Sequence, residues 1–296
     1  MTRRLSGCGT ALVTPFGTHG AVDIGSLARM VNWQLDEGVD FLVPCGSTGE
    51  AATMSLEEHV RVVTQTAEIA SGRVPIVAGA GSNDTHRAVV LTRELCTSGA
   101  THLLHVTPMY NKPPQRGLID HFRTIADASP LPIILYNVPS RTGINMLAET
   151  TLALAEHPNI LGIKEASGDL GQIVEILRHR PDRFSVLSGD DALTLAVIAH
   201  GGDGVISVIS NVTPNLMSEL VARARAEKMT GAREIDNRLR PWMRAAFIES
   251  NPIPVKAALG LMDRITPTLR PPLVPLAEAH IPTVVAALVA VGALKA

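Results

Sequence analysis

Ile133-Ile-Leu-Tyr-Asn-Val-Pro-Ser-Arg-Thr-Gly143 is followed, about one strand–helix unit later, by Asn159-Ile-Leu-Gly-Ile-Lys-Glu-Ala-Ser167. Each stretch begins with a short apolar run that ends on a polar side chain, Tyr136 in the first and Lys164 in the second. Short runs rich in Val, Ile and Leu that alternate with amphipathic segments are typical of buried parallel strands. The two stretches therefore predict consecutive parallel strands that carry a phenol and an amine at the same place.

Apolar runs of this kind recur along the chain with a period of about thirty residues. They predict eight strands, at residues 10–14, 41–44, 75–80, 103–107, 133–136, 161–164, 184–187 and 205–208. Segments with helical spacing lie between them, for example 24–37, 56–69, 85–96, 117–128 and 147–156. Eight such units fit an α/β protein of the (β/α)₈ (TIM) barrel type, for which ~250 residues is typical. We predict a barrel over residues 1–224 and a C-terminal helical extension over 225–296.

A doubly wound open sheet is the competing architecture. It would carry a nucleotide-binding fingerprint after the first strand, where this chain has Thr14-Pro-Phe-Gly17. The later Gly79-Ala-Gly-Ser-Asn83 lacks the third glycine of that fingerprint and is interpreted as a tight turn. The barrel is therefore favoured.

Composition limits the classes of function. The 296 residues are 46% hydrophobic and 18% charged with a net charge of −2, which suits a large soluble core and gives no basic surface for nucleic acid or anionic membranes. The isolated Cys8, Cys45 and Cys96 fit reduced thiols of a cytosolic protein. The apolar residues 281–294 are fewer than the roughly 18 that a membrane span needs and predict a packed terminal helix. We expect a cytoplasmic protein without membrane or nucleic-acid partners.

In a (β/α)₈ barrel the active site lies at the carboxyl ends of the strands, where Lys164, Tyr136 and the turn Gly46-Ser-Thr-Gly-Glu50 meet. A lysine among apolar groups has its pKa lowered from about 10.4 towards 7, and its amine then forms Schiff bases with carbonyl substrates. The turn offers hydroxyls, glycines and helix N-terminal amides to a carboxylate. Together they predict an imine-forming enzyme for a 2-oxo acid, with Tyr136 moving protons.

Each feature also has a purely structural interpretation. Lys164 could be a strand-end lysine that reaches water, Tyr136 a core aromatic, and Gly46–Glu50 a helix-capping turn. A metal site has little support, because His102 and His105 are three apart and lie on opposite faces of the fourth predicted strand. We assign both histidines to packing or hydrogen bonding and expect neither a metal nor another cofactor.

These residues together resemble the dihydrodipicolinate synthase / N-acetylneuraminate lyase family of class I, pyruvate-dependent aldolases. The resemblance covers nearly the whole chain. It rests on Gly46–Glu50, Thr107-Pro-Met-Tyr-Asn-Lys-Pro113, Tyr136–Gly143, Gly162–Ala166, Ser188-Gly-Asp-Asp191, Gly204-Val-Ile-Ser207 and Asn251-Pro-Ile-Pro-Val-Lys256. The family fold is a (β/α)₈ barrel with a C-terminal helical part, as the pattern of strands also indicates.

The resemblance implies a role for each matching residue. Lys164 would form the Schiff base with pyruvate, and Tyr136 would donate and accept protons. Thr48 would hold the pyruvate carboxylate, with the Ile206 backbone and the region of Gly189 lining the pocket. Ser47 and Tyr110 would complete a proton relay with Tyr136. In the family the tyrosine that matches Tyr110 comes from the neighbouring subunit, which implies at least a homodimer and, in the usual form, a homotetramer.

Substrate choice within the family depends on Arg141, because a guanidinium at the mouth of the site can bind a second carboxylate. That residue is typical of the synthase branch, which joins pyruvate to L-aspartate 4-semialdehyde in lysine and diaminopimelate biosynthesis. Ser47, found also in lyases, leaves another pyruvate aldolase possible, of the N-acetylneuraminate, sugar-acid or 4-hydroxy-2-oxoglutarate type. Arg141 as a solvent-exposed loop charge and the whole protein as a non-catalytic 2-oxo acid sensor are the remaining alternatives.

The resemblance also bears on regulation. Members that lysine inhibits carry a histidine, a glutamate and a tyrosine where this chain has Leu56, Arg87 and Met109, although His59 and Asn83 remain. Loss of a carboxylate and gain of Arg87 should repel the lysine ammonium group. We expect weak or absent feedback by lysine.

Overall fold

The computed structural model describes residues 4–295. The strands in this part of the chain are β1 (Gly7–Ala11), β2 (Phe41–Val43), β3 (Val77–Gly79), β4 (His102–Val106), β5 (Ile133–Asn137), β6 (Ile160–Glu165), β7 (Ser185–Ser188) and β8 (Gly204–Ser207). They run parallel in the order β2-β1-β8-β7-β6-β5-β4-β3. A parallel bridge from Leu42 to Ile76 joins the two ends of this order. The predicted (β/α)₈ barrel is confirmed.

Helices separate the strands and follow the barrel. Between residues 4 and 295 they are α1 (Ile24–Asp36), α2 (Leu56–Ala70), α3 (Thr85–Leu95), α4 (Gln115–Ala128), α5 (Pro139–Thr142), α6 (Ala148–Ala155), α7 (Leu170–His179), α8 (Thr194–Ala199), α9 (Pro214–Arg225), α10 (Met229–Ala245), α11 (Ile253–Leu261) and α12 (Ile281–Val291). Local chemistry fixes several starts. Ser55 and Glu58 form a capping box at α2, and Asp23 caps α1.

Side chains alternate between the outer and inner faces of the barrel strands. In β5, Ile133 and Leu135 pack against the helices, whereas Ile134 and Tyr136 lie in the barrel interior. In β6 the same alternation packs Ile163 outwards. Lys164 therefore points inwards, at the carboxyl end of its strand.

The first strand begins earlier than predicted. We expected residues 10–14, but β1 spans Gly7–Ala11. The predicted range contains the apolar Leu12 and Val13 and leaves out Gly7 and Gly9. A Cβ at Gly9 would lie 2.0 Å from the Phe41 ring, so a glycine is required where β1 packs closely against β2.

The segment after the barrel is helical, as predicted. Trp242 of α10 is completely buried and its Nε1 donates to the Ile209 carbonyl at 3.4 Å. The apolar terminal segment forms α12, which buries Val284 and Leu288, so that prediction is confirmed. The exact division at residues 224 and 225 stays a prediction. From residue 4 to residue 295, no helix combines the length and apolar character needed to cross a membrane.

Candidate active site

Lys164 and Tyr136 are neighbours across β5 and β6. Their Cα positions are paired in the sheet, and Lys164 Nζ lies 4.3 Å from the centroid of the Tyr136 ring. The two residues are only 5% and 7% exposed. An amine and a phenol enclosed in this way can both reach one carbonyl group and exchange protons with it.

Burial is the main cause that lowers the pKa of the Lys164 ammonium group to about 8. The Asp191 carboxylate opposes this shift and the Arg141 guanidinium adds to it. The pKa therefore shifts in the predicted direction, and Asp191 limits the shift because its charge stabilises the ammonium form. Burial also raises the pKa of the Tyr136 hydroxyl to about 12, against the effects of Arg141 and the Ser47 hydroxyl. At neutral pH, Tyr136 is thus a phenol with a proton to donate.

The turn at residues 46–50 follows β2. Backbone hydrogen bonds close it, from Gly49 N to Gly46 O at 3.0 Å and from Glu50 N to Ser47 O at 3.2 Å. A short 3₁₀ turn follows at 51–53, so α2 begins too late for its N-terminus to belong to this turn. The expected contribution of helix N-terminal amides is therefore wrong, and the hydroxyls and backbone amides of Ser47 and Thr48 are left as the groups suited to an anion. The Thr48 side chain is buried, while Ser47 is exposed.

Arg141 lies on α5, directly after the strand that carries Tyr136. Its Nη2 donates to the Asn251 carbonyl at 3.0 Å, although much of the residue is exposed. The guanidinium has five N–H donors in a planar fork, so one carbonyl contact leaves capacity for a carboxylate.

Gly189 follows β7 and lies against the Lys164 side chain. A Cβ at this position would be 3.0 Å from Lys164 Cγ and 3.1 Å from Lys164 Cε. The glycine therefore leaves the space that the lysine side chain occupies.

Most of the predicted residues line one cavity. Its volume of about 920 Å³ suits a small-molecule site. Its lining includes Ser47, Thr48, Tyr136, Arg141, Lys164 and Gly189. Among the described residues, Ile206 and Tyr110 are not part of this lining. Ile206 is completely buried in the barrel interior, and Val208 lines the cavity just beyond the same strand. Tyr110 is 89% exposed on the loop after β4, with φ +73°.

The sequence did not predict that Asn251, just before α11, and Lys256, within α11, contact the turn at residues 46–50. Asn251 Nδ2 donates to Thr48 Oγ1 at 2.8 Å. Lys256 Nζ forms a buried ion pair with Glu50 Oε1 at 2.5 Å and donates to the Thr268 carbonyl at 2.9 Å. A buried charge requires such a partner, so this pair fixes the end of the turn. The motif Asn251-Pro-Ile-Pro-Val-Lys256 contains both residues, but its sequence alone assigns them no chemical role.

Asp191 is a second residue without a predicted role. Its Oδ2 accepts hydrogen bonds from Val208 N at 3.0 Å and Ile209 N at 3.2 Å, which fixes the backbone after β8. Burial raises the pKa of this carboxyl group to about 6. The motif Ser188-Gly-Asp-Asp191 was the available signal.

The histidines of β4 take part in separate local contacts. His105 is completely buried with Nε2 3.3 Å from Thr92 Oγ1, and His102 Nδ1 lies 2.9 Å from Thr101 Oγ1. In the described part of the chain, His, Cys, Asp and Glu side chains form no group of three or more that could hold a metal ion.

A second cavity of about 570 Å³ lies on the other side of Ser47 and Tyr136, which line both cavities. The residues that bear on lysine feedback line this second cavity: Leu56, His59, Arg87 and Met109. His59 Nε2 donates to the Gly79 carbonyl at 2.7 Å, and Asn83 Nδ2 donates to the Met109 carbonyl at 3.3 Å. Four of the five residues thus line one space beside the Lys164 site, and Asn83 is bonded to one of the four.

The chain is similar to known proteins along most of its length. The model of the Dihydrodipicolinate synthetase family matches residues 4–291. The 4-hydroxy-tetrahydrodipicolinate synthase of Maridesulfovibrio salexigens is 49% identical over 274 residues, covering 92% of this chain and 94% of that protein.

Solved structures give the same result. Dihydrodipicolinate synthase from Thermotoga maritima has a TM-score of 0.97 at 43% identity, covering 99% of this chain and 100% of that one. The chloride-inhibited dihydrodipicolinate synthase from Acinetobacter baumannii, complexed with pyruvate, has a TM-score of 0.96 at 42% identity, covering 98% and 99%. Sequence and backbone thus agree over almost the entire barrel and its helical extension, and the chain belongs to the dihydrodipicolinate synthetase family.

Proposed function

We propose that this protein catalyses the Schiff-base condensation of pyruvate with L-aspartate 4-semialdehyde to give 4-hydroxy-tetrahydrodipicolinate, in lysine and diaminopimelate biosynthesis. One observation carries the proposal: the buried Lys164 amine lies beside the Tyr136 phenol in a cavity whose lining includes the Arg141 guanidinium. The curated relative described above bears the name of this activity, and a solved relative was complexed with pyruvate. The other aldolase types and the sensor are not favoured, because the matching relatives are named as synthases.

The first half of the reaction converts pyruvate into a nucleophile. Thr48 donates its hydroxyl proton to the pyruvate carboxylate, and the neutral Lys164 amine attacks the carbonyl carbon. The Tyr136 hydroxyl supplies a proton to the departing oxygen, which leaves as water and gives the imine. A methyl proton then moves to Tyr136, and the resulting enamine is the carbon nucleophile. Ser47, with Tyr110 of a neighbouring copy, connects Tyr136 with the outside of the site.

The second half joins the two substrates. The enamine carbon attacks the aldehyde carbon of the acceptor, and the aldehyde oxygen takes the proton held by Tyr136. The ammonium group of the acceptor gives a proton to the Tyr136 phenolate, which restores the phenol. The free amino group then attacks the imine carbon and displaces Lys164, which closes the ring and restores the lysine amine. Arg141 binds the acceptor carboxylate throughout these steps.

Arg141→Ala is expected to reduce kcat/KM for L-aspartate 4-semialdehyde by roughly 100-fold, because the acceptor carboxylate loses a charged hydrogen-bond partner. Pyruvate consumption with the semialdehyde, N-acetylmannosamine and glyceraldehyde measures this. The wild-type protein should prefer the semialdehyde by about 100-fold or more. An Arg141→Ala variant that keeps full activity, or a wild-type protein that turns over another acceptor better, would move the protein to another aldolase type.

The exposed Tyr110 supports a proposal about assembly. We propose that Tyr110 completes the proton relay of Ser47 and Tyr136 in a neighbouring copy. The active unit is then at least a homodimer, and the complete assembly is a homotetramer. A tyrosine that is 89% exposed on a loop with positive φ is suited to a partner surface.

Mixing two inactive proteins tests this assembly. Tyr110→Phe subunits keep Lys164, and Lys164→Ala subunits keep Tyr110, so mixed dimers contain one complete site. Co-refolded mixtures should exceed the summed activity of the two separate variants. A mixture that equals this sum, or a fully active protein with the solution mass of one chain, would contradict the assembly.

Lysine is expected to inhibit the protein weakly or not at all, with half-inhibition above about a millimolar. The positive Arg87 in the second cavity repels the lysine ammonium group, and Leu56 and Met109 offer it no polar partner. Initial rates at increasing lysine concentration measure this, with Arg87→Glu as the matched variant of greater expected sensitivity. Half-inhibition of the wild-type protein at a lower concentration would contradict the expectation.

A further inference from the structure

The residues that follow Tyr136 and Lys164 are joined across the same pair of strands. Asn137 ends β5 and Glu165 ends β6, and their Cα positions are paired in the sheet just as those of the preceding residues are. Asn137 is 0% exposed and Glu165 is 1% exposed. Asn137 Nδ2 donates to Glu165 Oε2 at 3.0 Å. Each strand therefore ends on one residue of the proposed reaction and one residue of a buried cross-strand hydrogen bond.

The Glu165 carboxylate accepts hydrogen bonds from several elements. Besides Asn137, Ser167 N donates to Oε1 at 2.6 Å and Gln172 Nε2 of α7 donates to Oε2 at 3.1 Å. Burial raises the pKa of this carboxyl group, and the hydrogen bonds oppose the shift. These partners all present N–H groups, so the position requires an ionised carboxylate, which accepts hydrogen bonds at both oxygens.

The orientation of the Asn137 amide follows from its contact with the backbone. Met146 N donates to Asn137 Oδ1 at 2.9 Å, so the NH₂ group faces Glu165. This group also donates to Asn145 Oδ1 at 2.7 Å, and Asn145 Nδ2 donates to Gln172 Oε1 at 2.8 Å. The network therefore ties the ends of β5 and β6 to the loop before α6 and to the start of α7.

The pairing of β5 with β6 changes register near its start. Ile133 pairs with Ile160, but Ile134 pairs with Gly162, so β6 contains one extra residue. Ile160 and Ile163 consequently both pack against the helices, although they are three positions apart. The alternation of side chains is thus interrupted once, before the carboxyl end of β6.

The site depends on the register that follows this interruption. If the first pairing continued unchanged, Tyr136 would pair with Ile163. Lys164 would then face the helices, because a shift of one residue moves every side chain to the opposite face of a sheet. The hydrogen bond between Asn137 and Glu165 belongs to the observed register, in which the amine and the phenol share the barrel interior.

We propose that Glu165 is a positioning residue for the Schiff-base reaction: through Asn137 it holds the ends of β5 and β6 in the register that places the Lys164 amine against the Tyr136 phenol. The inference rests on the proposed function, in which both groups act on one carbonyl. Glu165 acts without touching the substrate, because its side chain is bonded to α7 outside the barrel and, among the described residues, is not part of the lining of the Lys164 cavity.

The test measures how fast the imine with pyruvate forms in a single turnover, by borohydride quenching at increasing times. In Glu165→Gln the maximal rate should fall by roughly 10- to 100-fold, on the scale of a small misplacement of reacting groups. The new side chain has the same shape, but its NH₂ group meets an N–H donor in either orientation. The pyruvate concentration at half-maximal rate should change by less than about threefold, since Thr48 lies on the turn after β2.

Combination with Tyr136→Phe separates positioning from a general effect on the fold. If Glu165 acts through the spacing of the amine and the phenol, Glu165→Gln should slow Tyr136→Phe by less than about threefold. Equal factors of loss in the two backgrounds would overturn the inference. A half-saturating pyruvate concentration that rises as much as the maximal rate falls would overturn it too.

Two further variants control the comparison, with the melting temperature measured for each protein. Glu156→Gln changes an exposed glutamate just after α6 and should leave the rate unchanged. Gln172→Ala removes one donor to the carboxylate and should lower the maximal rate by roughly 3- to 10-fold at the same half-saturating concentration. It takes the place of Glu165→Gln if that protein does not fold, and an unchanged maximal rate in it would then overturn the inference.

Imine formation needs no acceptor aldehyde, so this readout separates the inference from the function on which it rests. A wild-type protein that forms no imine at Lys164 refutes both. A wild-type protein whose imine forms no faster than that of Glu165→Gln refutes the inference alone.

Discussion

Lys164→Ala is expected to lower kcat for pyruvate consumption by roughly 10⁴-fold or more, on the scale seen when an enzyme loses its covalent nucleophile. Without the amine no imine forms, and the methyl carbon of pyruvate remains a poor nucleophile. Steady-state rates with pyruvate and L-aspartate 4-semialdehyde measure the loss.

The matched control is Lys228→Ala, which removes an exposed lysine near the start of α10 and should leave the rate unchanged. The pH dependence gives a second check in the wild-type protein. Because the neutral amine attacks, kcat/KM for pyruvate should rise with pH and level off above the Lys164 pKa of about 8. A Lys164→Ala variant with more than about one hundredth of wild-type kcat would contradict a covalent role for this lysine.

Tyr136→Phe is expected to lower kcat by roughly 10²- to 10⁴-fold, the usual contribution of a general acid–base group. The phenyl ring keeps the packing in the barrel interior, so the loss reports on the hydroxyl proton rather than on folding. Steady-state rates and the melting temperature, measured together, separate the two.

We expect the catalytic rate to depend more on the Tyr136 hydroxyl proton than on its aromatic ring. Tyr136→Phe should still form the trapped pyruvate adduct, but slowly, because Lys164 remains in place beside the ring. A variant with wild-type kcat would show that another group moves the protons. A variant with a greatly lowered melting temperature would show that the hydroxyl acts mainly on stability.

The parts of the fold that sequence predicts well are those with strong local patterns. β5 and β6 are visible in the sequence as short apolar runs that end on Tyr136 and Lys164, so the place of these side chains at the carboxyl ends of their strands follows once the barrel is assumed. The prediction places the first strand too late in the chain. The structure requires a glycine at position 9 because the Phe41 ring of the neighbouring strand lies against it. A local pattern does not contain that information.

The supporting contacts of the site depend on residues far apart in the chain. Asn251 and Thr48 are separated by 203 positions, and the buried pair of Lys256 with Glu50 spans a similar distance. Their motif was visible in the sequence, but its chemistry requires the fold. The pKa of Lys164 is a similar case, because the opposing effect of Asp191 depends on how β6 and the turn after β7 approach each other.

Borohydride reduction of the wild-type protein in the presence of pyruvate, followed by peptide mapping, tests the central claim most directly. The account predicts one reduced pyruvate per chain, attached to the peptide that contains Lys164. The Lys228→Ala control should be labelled in the same way. Absence of an adduct, or an adduct on another lysine such as Lys256, would contradict the assignment of Lys164 as the Schiff-base residue.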